Sequence, residues 1–317
     1  MRRAIVNRLV FIKRRSTMSW KRLTTIQAVR AGLTLLAAIS VALWASSVTA
    51  ATTITQSTCP VVIAQSGEYD LGTDVGPCLP GVDGIDIFAS DVTLHLDGHT
   101  ITGTTVTGTC NTSFGIRVGL PVPAPMISQV RVLGEGTISN FRVGFRARNS
   151  AGSFVKFTTV TAQCPFFSFG FLIQGPESQW KLEGNVVREP GNNSSGIFVF
   201  GGDDNELVRN DVNDNIALAT SNNNTIVNNT ANDNEGGIVV GSPGFGPSNN
   251  NEIHANTTNN NTIGGGLTIT LDSTGNNVTG NTAFNNLPFD MEDDNPNCDA
   301  NKWKGNHFNT ANQSCIQ

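Results

Sequence analysis

Leu182-Glu-Gly-Asn185-Val-Val187 opens a phrase that returns as Leu207-Val-Arg-Asn210-Asp-Val212, Ile226-Val-Asn-Asn229-Thr-Ala231, Ile253-His-Ala-Asn256-Thr-Thr258, Val278-Thr-Gly-Asn281-Thr-Ala283 and Trp303-Lys-Gly-Asn306-His-Phe308. The first residues lie 25, 19, 27, 25 and 25 positions apart. A period of this size marks a stacked-repeat architecture. About 25 residues make one coil of a right-handed parallel β-helix, whose coils stack roughly 4.8 Å apart. Within the phrase the apolar ends and the asparagine face one way, and the residues between them are polar or small, as in a strand. Asparagine offers two donors and an acceptor on a short side chain, so Asn185, Asn210, Asn229, Asn256, Asn281 and Asn306 form a column able to hydrogen-bond from coil to coil. It also tolerates left-handed backbone angles at the bend each coil needs.

A second column, small then apolar, follows each phrase: Gly115-Ile116, Gly144-Phe145, Gly170-Phe171, Gly196-Ile197, Asn215-Ile216, Gly237-Ile238, Gly266-Leu267 and Asp290-Met291. It predicts another strand per coil. Extended backwards by 25 residues, the first column places Phe157 opposite Leu182, with Val160 in the asparagine position, and Val132 before it. Leu94 begins the series, and the step of 38 to Val132 leaves room for a protruding segment at Gly119 to Ser128, rich in proline and so unsuited to a strand. The expected class is all-β, a single-stranded right-handed parallel β-helix with capped ends. We expect a cap and first coil over 51–90, coils over 91–309 and a disulfide-closed tail over 310–317.

Residues 1–50 read as a leader: an Arg/Lys-rich stretch, an apolar run from Ala31 to Ala45, and small residues Val48-Thr49-Ala50 before Ala51, as at a secretory cleavage site. Met18 offers an alternative start. The apolar run falls short of the roughly 20 residues that span a membrane, so no span is expected after cleavage. Export to the periplasm or the medium suits six cysteines without a CxxC pair, which favour disulfides over metal or redox chemistry. Cys59 with Cys78 would staple the N-terminal cap and Cys298 with Cys315 the other end, leaving Cys110 with Cys164; six cysteines allow fifteen connectivities. The net charge of −5 becomes more negative once the basic leader is removed, which argues against nucleic acid as a partner. Charged residues are only 14%, so periodic apolar columns, rather than charge, carry the fold. A monomeric solenoid is expected, since such a domain grows by adding coils.

The segments Cys59…Gly67-Glu-Tyr-Asp-Leu71…Cys78 and Asp91-Val-Thr-Leu-His-Leu-Asp-Gly-His-Thr-Ile-Thr-Gly103, followed by Asn-x-x-x-Asn coils, carry a likeness to a known group. The chain resembles bacterial exported proteins of the pectate lyase-like, right-handed parallel β-helix superfamily, and looks closest to the NosD-type and carbohydrate-binding/sugar-hydrolase repeat group. The resemblance implies a polysaccharide-facing groove along one sheet. It also implies, for the lyases, proton abstraction beside a uronate carboxylate, with Ca²⁺ held by carboxylates and an Arg or Lys as base.

Counting outward from the second column gives an exterior row Arg117, Arg146, Leu172, Phe198, Ala217, Val239, Thr268, Glu292 and an adjoining row Gly119, Arg148, Gln174, Phe200, Ala219, Gly241, Thr270. Arg117, Arg146 and Arg148 would cluster and clamp carboxylate or sulfate groups, or else form a solvated basic patch. Phe198 and Phe200 offer a stacking surface for sugars, or one covered by a loop or partner. The acid run Asp290, Glu292, Asp293, Asp294 would supply hard oxygens for Ca²⁺, against the simpler reading of a solvated loop. His95, Asp97 and His99 alternate, so a strand would point all three outward as metal ligands or as a polar face. Asp203-Asp204 reads as a turn. The expected function is binding, and lyase-, epimerase- or hydrolase-type processing, of an acidic polysaccharide. The alternative is a non-catalytic surface or adhesive scaffold.

Overall fold

The computed structural model describes residues 50–104, 113–120, 123–161, 168–176, 178–188, 194–242 and 244–317. The expected leader and the Cys110–Cys164 pair lie outside the described residues.

Apolar residues at every second position, broken by bends of Gly, Asn and Asp, leave the chain one way to bury both its strand sets, by winding on itself. All pairings between consecutive coils are parallel, and they assemble the described strands into a fifteen-stranded sheet, a ten-stranded sheet and two small two-stranded sheets. The protein is a right-handed parallel β-helix. One typical coil runs from Trp180–Glu183 in the larger sheet, through the Gly184–Asn185 bend, to Val186–Val187; it then crosses to Ser195–Phe200 in the ten-stranded sheet and returns to Glu206–Val208. The only helical turn among the described residues is the 3-10 segment Pro296–Cys298.

The repeat phrase sits in register: Val155, Leu182, Leu207, Ile226, Ile253, Val278 and Trp303 pair in one inward row. The second column is likewise one row from Ile116 to Met291 on the ten-stranded sheet. Both rows belong to one buried core, and most of their members have no measurable exposure. Glycine precedes the second row for a steric reason: a Cβ at Gly144 would lie 2.4 Å from Val160 Cγ1 and 2.9 Å from the Gly170 carbonyl oxygen. The bend passes that close both to the opposite sheet and to the next coil.

The asparagine column is a continuous hydrogen-bonded ladder. Each Nδ2 donates to the Oδ1 of the next coil, from Asn185 to Asn210 at 3.0 Å, then to Asn229 at 2.9 Å, Asn256 at 3.1 Å, Asn281 at 3.0 Å and Asn306 at 3.1 Å. Each Oδ1 also takes the backbone N–H of the preceding asparagine, which satisfies the bend as well as the side chain. Two further ladders run beside it. Asn205, Asn224, Asn251, Asn276 and Asn301 join at 2.8–3.1 Å at the opposite bend. Asn261 donates to Asn286 at 2.8 Å, with Asn234 above, where the chain enters the ten-stranded sheet.

Several boundaries differ from the sequence expectation. Leu182 pairs with Val155, not Phe157, because that coil is 27 residues long; Thr158 then stands at the asparagine position and Val160 opposite Val187. Phe157 is turned out, with φ of 59° and 52% exposure. Within the segment expected as cap and first coil, Thr52–Ile54 pairs in parallel with Tyr69–Leu71. The Cys59–Cys78 and Cys298–Cys315 disulfides form as the spacing suggested. In the proline-rich protrusion, Ile127–Ser128 is a short strand paired with Ser150–Ala151.

Candidate functional site

The first counted row pairs throughout, whereas the second pairs only from Arg148 to Ala219, and Leu172, Ala217, Ala219, Thr268 and Thr270 are buried rather than exterior. Along the ten-stranded sheet Arg117, Arg146, Leu172, Phe198, Ala217, Val239, Thr268 and Glu292 pair in sequence, and Arg148, Gln174, Phe200 and Ala219 form the row beside them. Alternation on a strand two residues apart puts Arg146 and Arg148 on one side, about 7 Å apart along the chain. The result is a face that changes character along the stack, basic toward the N-terminal coils, aromatic in the middle and small beyond.

The three arginines differ in how they are satisfied. Arg117 is neutralised: its Nε and Nη2 donate to the Asp86 carboxylate at 2.9 Å each, and Nη2 lies 3.2 Å from Asp83. Burial pushes the Asp86 carboxyl up despite that partner. Arg146 has no ion pair among the described residues; its Nε donates to Gln174 Oε1 at 3.0 Å and its guanidinium lies 4.7 Å from the Phe114 ring centroid. Burial and the charges of Arg148 and Arg117 hold its pKa below that of a free guanidinium. Arg148, half-buried, likewise makes no ion pair among the described residues. Two cations therefore share a surface without a direct ion pair among the described residues, Arg146 feeling only the charge of Asp83, which Arg117 already engages, and an anionic ligand would lower their repulsion.

The phenylalanines meet as a cluster. Phe169 stacks on Phe198 at 5.4 Å, and Phe198 on Phe200 at 6.1 Å. Phe245, which sequence reasoning missed, stands edge-on to Phe198 at 6.1 Å and Phe200 at 5.6 Å while remaining 58% exposed. It is carried by a tight loop in which Ser242 and Gly246 pair and the Phe245 amide returns to the Ser242 carbonyl. The Gly-Pro-rich run around it was the available signal. Phe166 and Phe167 lie outside the described residues.

The other sequence candidates are used differently. Asp290 is buried, accepting the Asn286 side chain at 3.0 Å and the Asn309 and Thr310 amides at 2.9 and 3.0 Å. Asp293 faces inward and takes the Trp303 indole N–H at 2.8 Å together with Asn295 and Asn301. Glu292 faces out between them, and burial plus the Asp294 charge raises its pKa. Strand alternation thus splits the acid run, and no group of three or more metal-capable His, Cys, Asp or Glu exists among the described residues. His95, Asp97 and His99 are not one strand. The strand Val92–His95 ends before Asp97 and Gly98, both at positive φ, after which His99 turns to Asp74 at 3.2 Å and His95 faces Glu68 at 3.8 Å. Asp203-Asp204 is a turn, with Asp203 accepting the Asn222 amide.

A family model described as "Right handed beta helix region" matches residues 132–283. No curated protein matches the chain in sequence. Among solved structures, the Dettilon tailspike protein gp208 superposes with a TM-score of 0.55 at 16% identity, covering 80% of this chain and 53% of its own. This chain spans about half the length of that relative. A point mutant of the periplasmic alginate epimerase AlgG gives 0.53 at 12% identity, over 80% of this chain and 68% of that one. The Azotobacter vinelandii mannuronan C-5 epimerase AlgE6 A-module gives 0.50 at 13% identity, over 82% and 76%. These likenesses agree with the coil geometry and show the fold, a right-handed parallel β-helix.

Proposed function

We propose that this is an exported β-helix protein that binds an acidic polysaccharide along the outer face of its ten-stranded sheet. Arg146 and Arg148 take the carboxylate or sulfate groups, and the Phe169, Phe198, Phe200 cluster takes the apolar faces of neighbouring sugar rings. The observation that carries this reading is the pair of guanidiniums left without a counter-ion among the described residues, next to stacked aromatic rings on an otherwise acidic chain. Fold likeness to proteins whose names include alginate and mannuronan epimerases supports the substrate class. Lyase-, epimerase- or hydrolase-type turnover is a finer reading of the same face.

Binding of pectate, alginate and sulfated glycans to residues 51–317 tests it, with Arg146→Ala and Arg148→Ala. Charge-assisted contacts of this kind predict that each variant weakens binding about tenfold to a hundredfold, about 1.5–3 kcal/mol per lost bond to a charged group. Equal binding by the variants, or none by the parent, overturns it. An ultraviolet assay for unsaturated sugars and a proton NMR assay for epimerised residues, with and without Ca²⁺, separate turnover from binding. The second reading, a non-catalytic scaffold, draws on the exposed Phe245 against Phe198 and Phe200, a patch suited to a protein partner.

A further inference from the structure

The first asparagine ladder ends abruptly at its upper end. Above Asn185 the column continues as Thr158, whose amide donates to Asn185 Oδ1 at 3.0 Å but whose own buried hydroxyl has no partner among the described residues, and then as Gly136, which has no side chain to give. One extra residue between Leu133 and Gly136 shifts the register at the same level. The bend that is closed by amides lower down is therefore open here. It forms a groove of about 440 Å³ lined by Gly98, Glu135, Thr137, Phe157, Thr159 and Gly184. That size lies within the range of small-molecule sites.

Phe157 forms one wall at a conformational cost. A bulky side chain at φ of 59° is a steric outlier, and such strain persists at sites where the surroundings hold it. What holds it is visible. A Cβ on Gly184 would come within 2.7 Å of Phe157 Cε1, so glycine there lets the ring lie against the bend, and Lys156 Nζ sits 4.7 Å from the ring centroid. The ring is nevertheless half exposed, and burial therefore does not account for a phenylalanine in this position. Beside it, Thr100, Thr137 and Thr159 pair in an outward row, presenting hydroxyls one coil apart, and the exposed Glu135 carboxylate stands at the rim.

We propose that this groove is a second carbohydrate site, taking one pyranose residue with its C–H face on Phe157 and its hydroxyls on Thr137, Thr159 and Glu135. An apolar ring face beside a row of hydroxyls and one carboxylate matches the two-sided polarity of a pyranose, whose C–H groups and hydroxyls lie on different surfaces. Its ligand is neutral, since Lys156 is already paired with Glu183 at 3.7 Å and Glu135 would repel an acid. The site lies on the fifteen-stranded sheet and does not depend on the anionic face of the other sheet.

The test is saturation-transfer NMR of methyl glucoside, methyl galactoside, methyl mannoside and methyl N-acetylglucosaminide with residues 51–317. At least one should receive saturation, strongest on the C–H protons of one ring face. Phe157→Asn is the decisive variant, because asparagine relieves the left-handed strain while removing the ring. We expect binding to become roughly tenfold weaker or undetectable while the thermal midpoint stays level or rises. Phe157→Tyr should retain binding, and the Arg146→Ala/Arg148→Ala double variant should leave it unchanged. Undiminished transfer in Phe157→Asn, a lowered midpoint in that variant, or no transfer to any of the four glycosides in the parent overturns the proposal.

Discussion

Trp303 donates its indole N–H to the Asp293 carboxylate across 2.8 Å, in the inward row where the preceding coil carries Ile269. A charged group thus replaces an aliphatic one at the last coil, and its cost is met by donors from Trp303, Asn295 and Asn301. Asp293→Ala would strand the indole and the Asn295 amide, so we expect a loss of about 3 kcal/mol or more in denaturant unfolding. Trp303→Phe removes one donor from a carboxylate that keeps three, and its hydrogen-bond loss should be the smaller.

Asn229 lies in mid-ladder, giving its amide to Asn256 and the Leu207 carbonyl and accepting from Asn210. Asn229→Leu should cost about 1–3 kcal/mol by unpairing its neighbours. Asn277 is exposed and lies outside the columns; Asn277→Ser should change stability by less than roughly 0.5 kcal/mol. An equal midpoint for Asn229→Leu and the parent would contradict a stabilising ladder.

Burial pushes Asp214 up to about 7, opposed by the Asn215 amide and helped by the Glu235 charge. Because the folded state holds this proton more tightly than the unfolded chain, the stability it contributes is present below 3.8 and is lost as pH rises through about 7. Asp214→Asn should therefore raise the thermal midpoint near pH 8 and leave it unchanged near pH 3.5, as read by calorimetry across pH.

Asp290 has the opposite sign. Burial pushes its carboxyl up, but the Asn286, Asn309 and Thr310 amides outweigh burial and leave it below the ordinary 3.8. Its contribution is present above 3.8 and lost as pH falls through the lower folded value. Hydrogen exchange in acid should show the Asn309 and Thr310 amides opening before those of the central coils.

The coil register was legible because it rests on a period. The inward rows, the row from Arg117 to Glu292 and one asparagine ladder follow from spacing alone. The second ladder was equally visible, at Asn205, Asn224, Asn251, Asn276 and Asn301, two positions before each apolar start, yet polar residues between strands read as turn formers. Phe157 was misplaced because a constant step of 25 was carried into a coil of 27. The cluster of three arginines was found by counting, but its division into one ion-paired and two unpaired guanidiniums depends on Asp83 and Asp86, over 30 residues upstream of Arg117. Likewise, alternation alone could not show that Asp290 and Asp293 are consumed inside the stack, because their donors come from the tail and from the last coil.

The ladders also have a direction. In every side-chain link of the three ladders the donor lies on the N-terminal side of its acceptor, and each column finishes on a group that receives: Asn286 on Asp290, Asn301 on Asp293, Asn306 on the Gln317 carbonyl. An ionised aspartate has acceptors and no donor, so it completes a column without requiring a successor. The stack behaves as a polymer with a chain-terminating unit. Elongation past Asp290 and Asp293 would place an acceptor where the next coil also needs a donor, so an added coil fits within the ladders rather than beyond them.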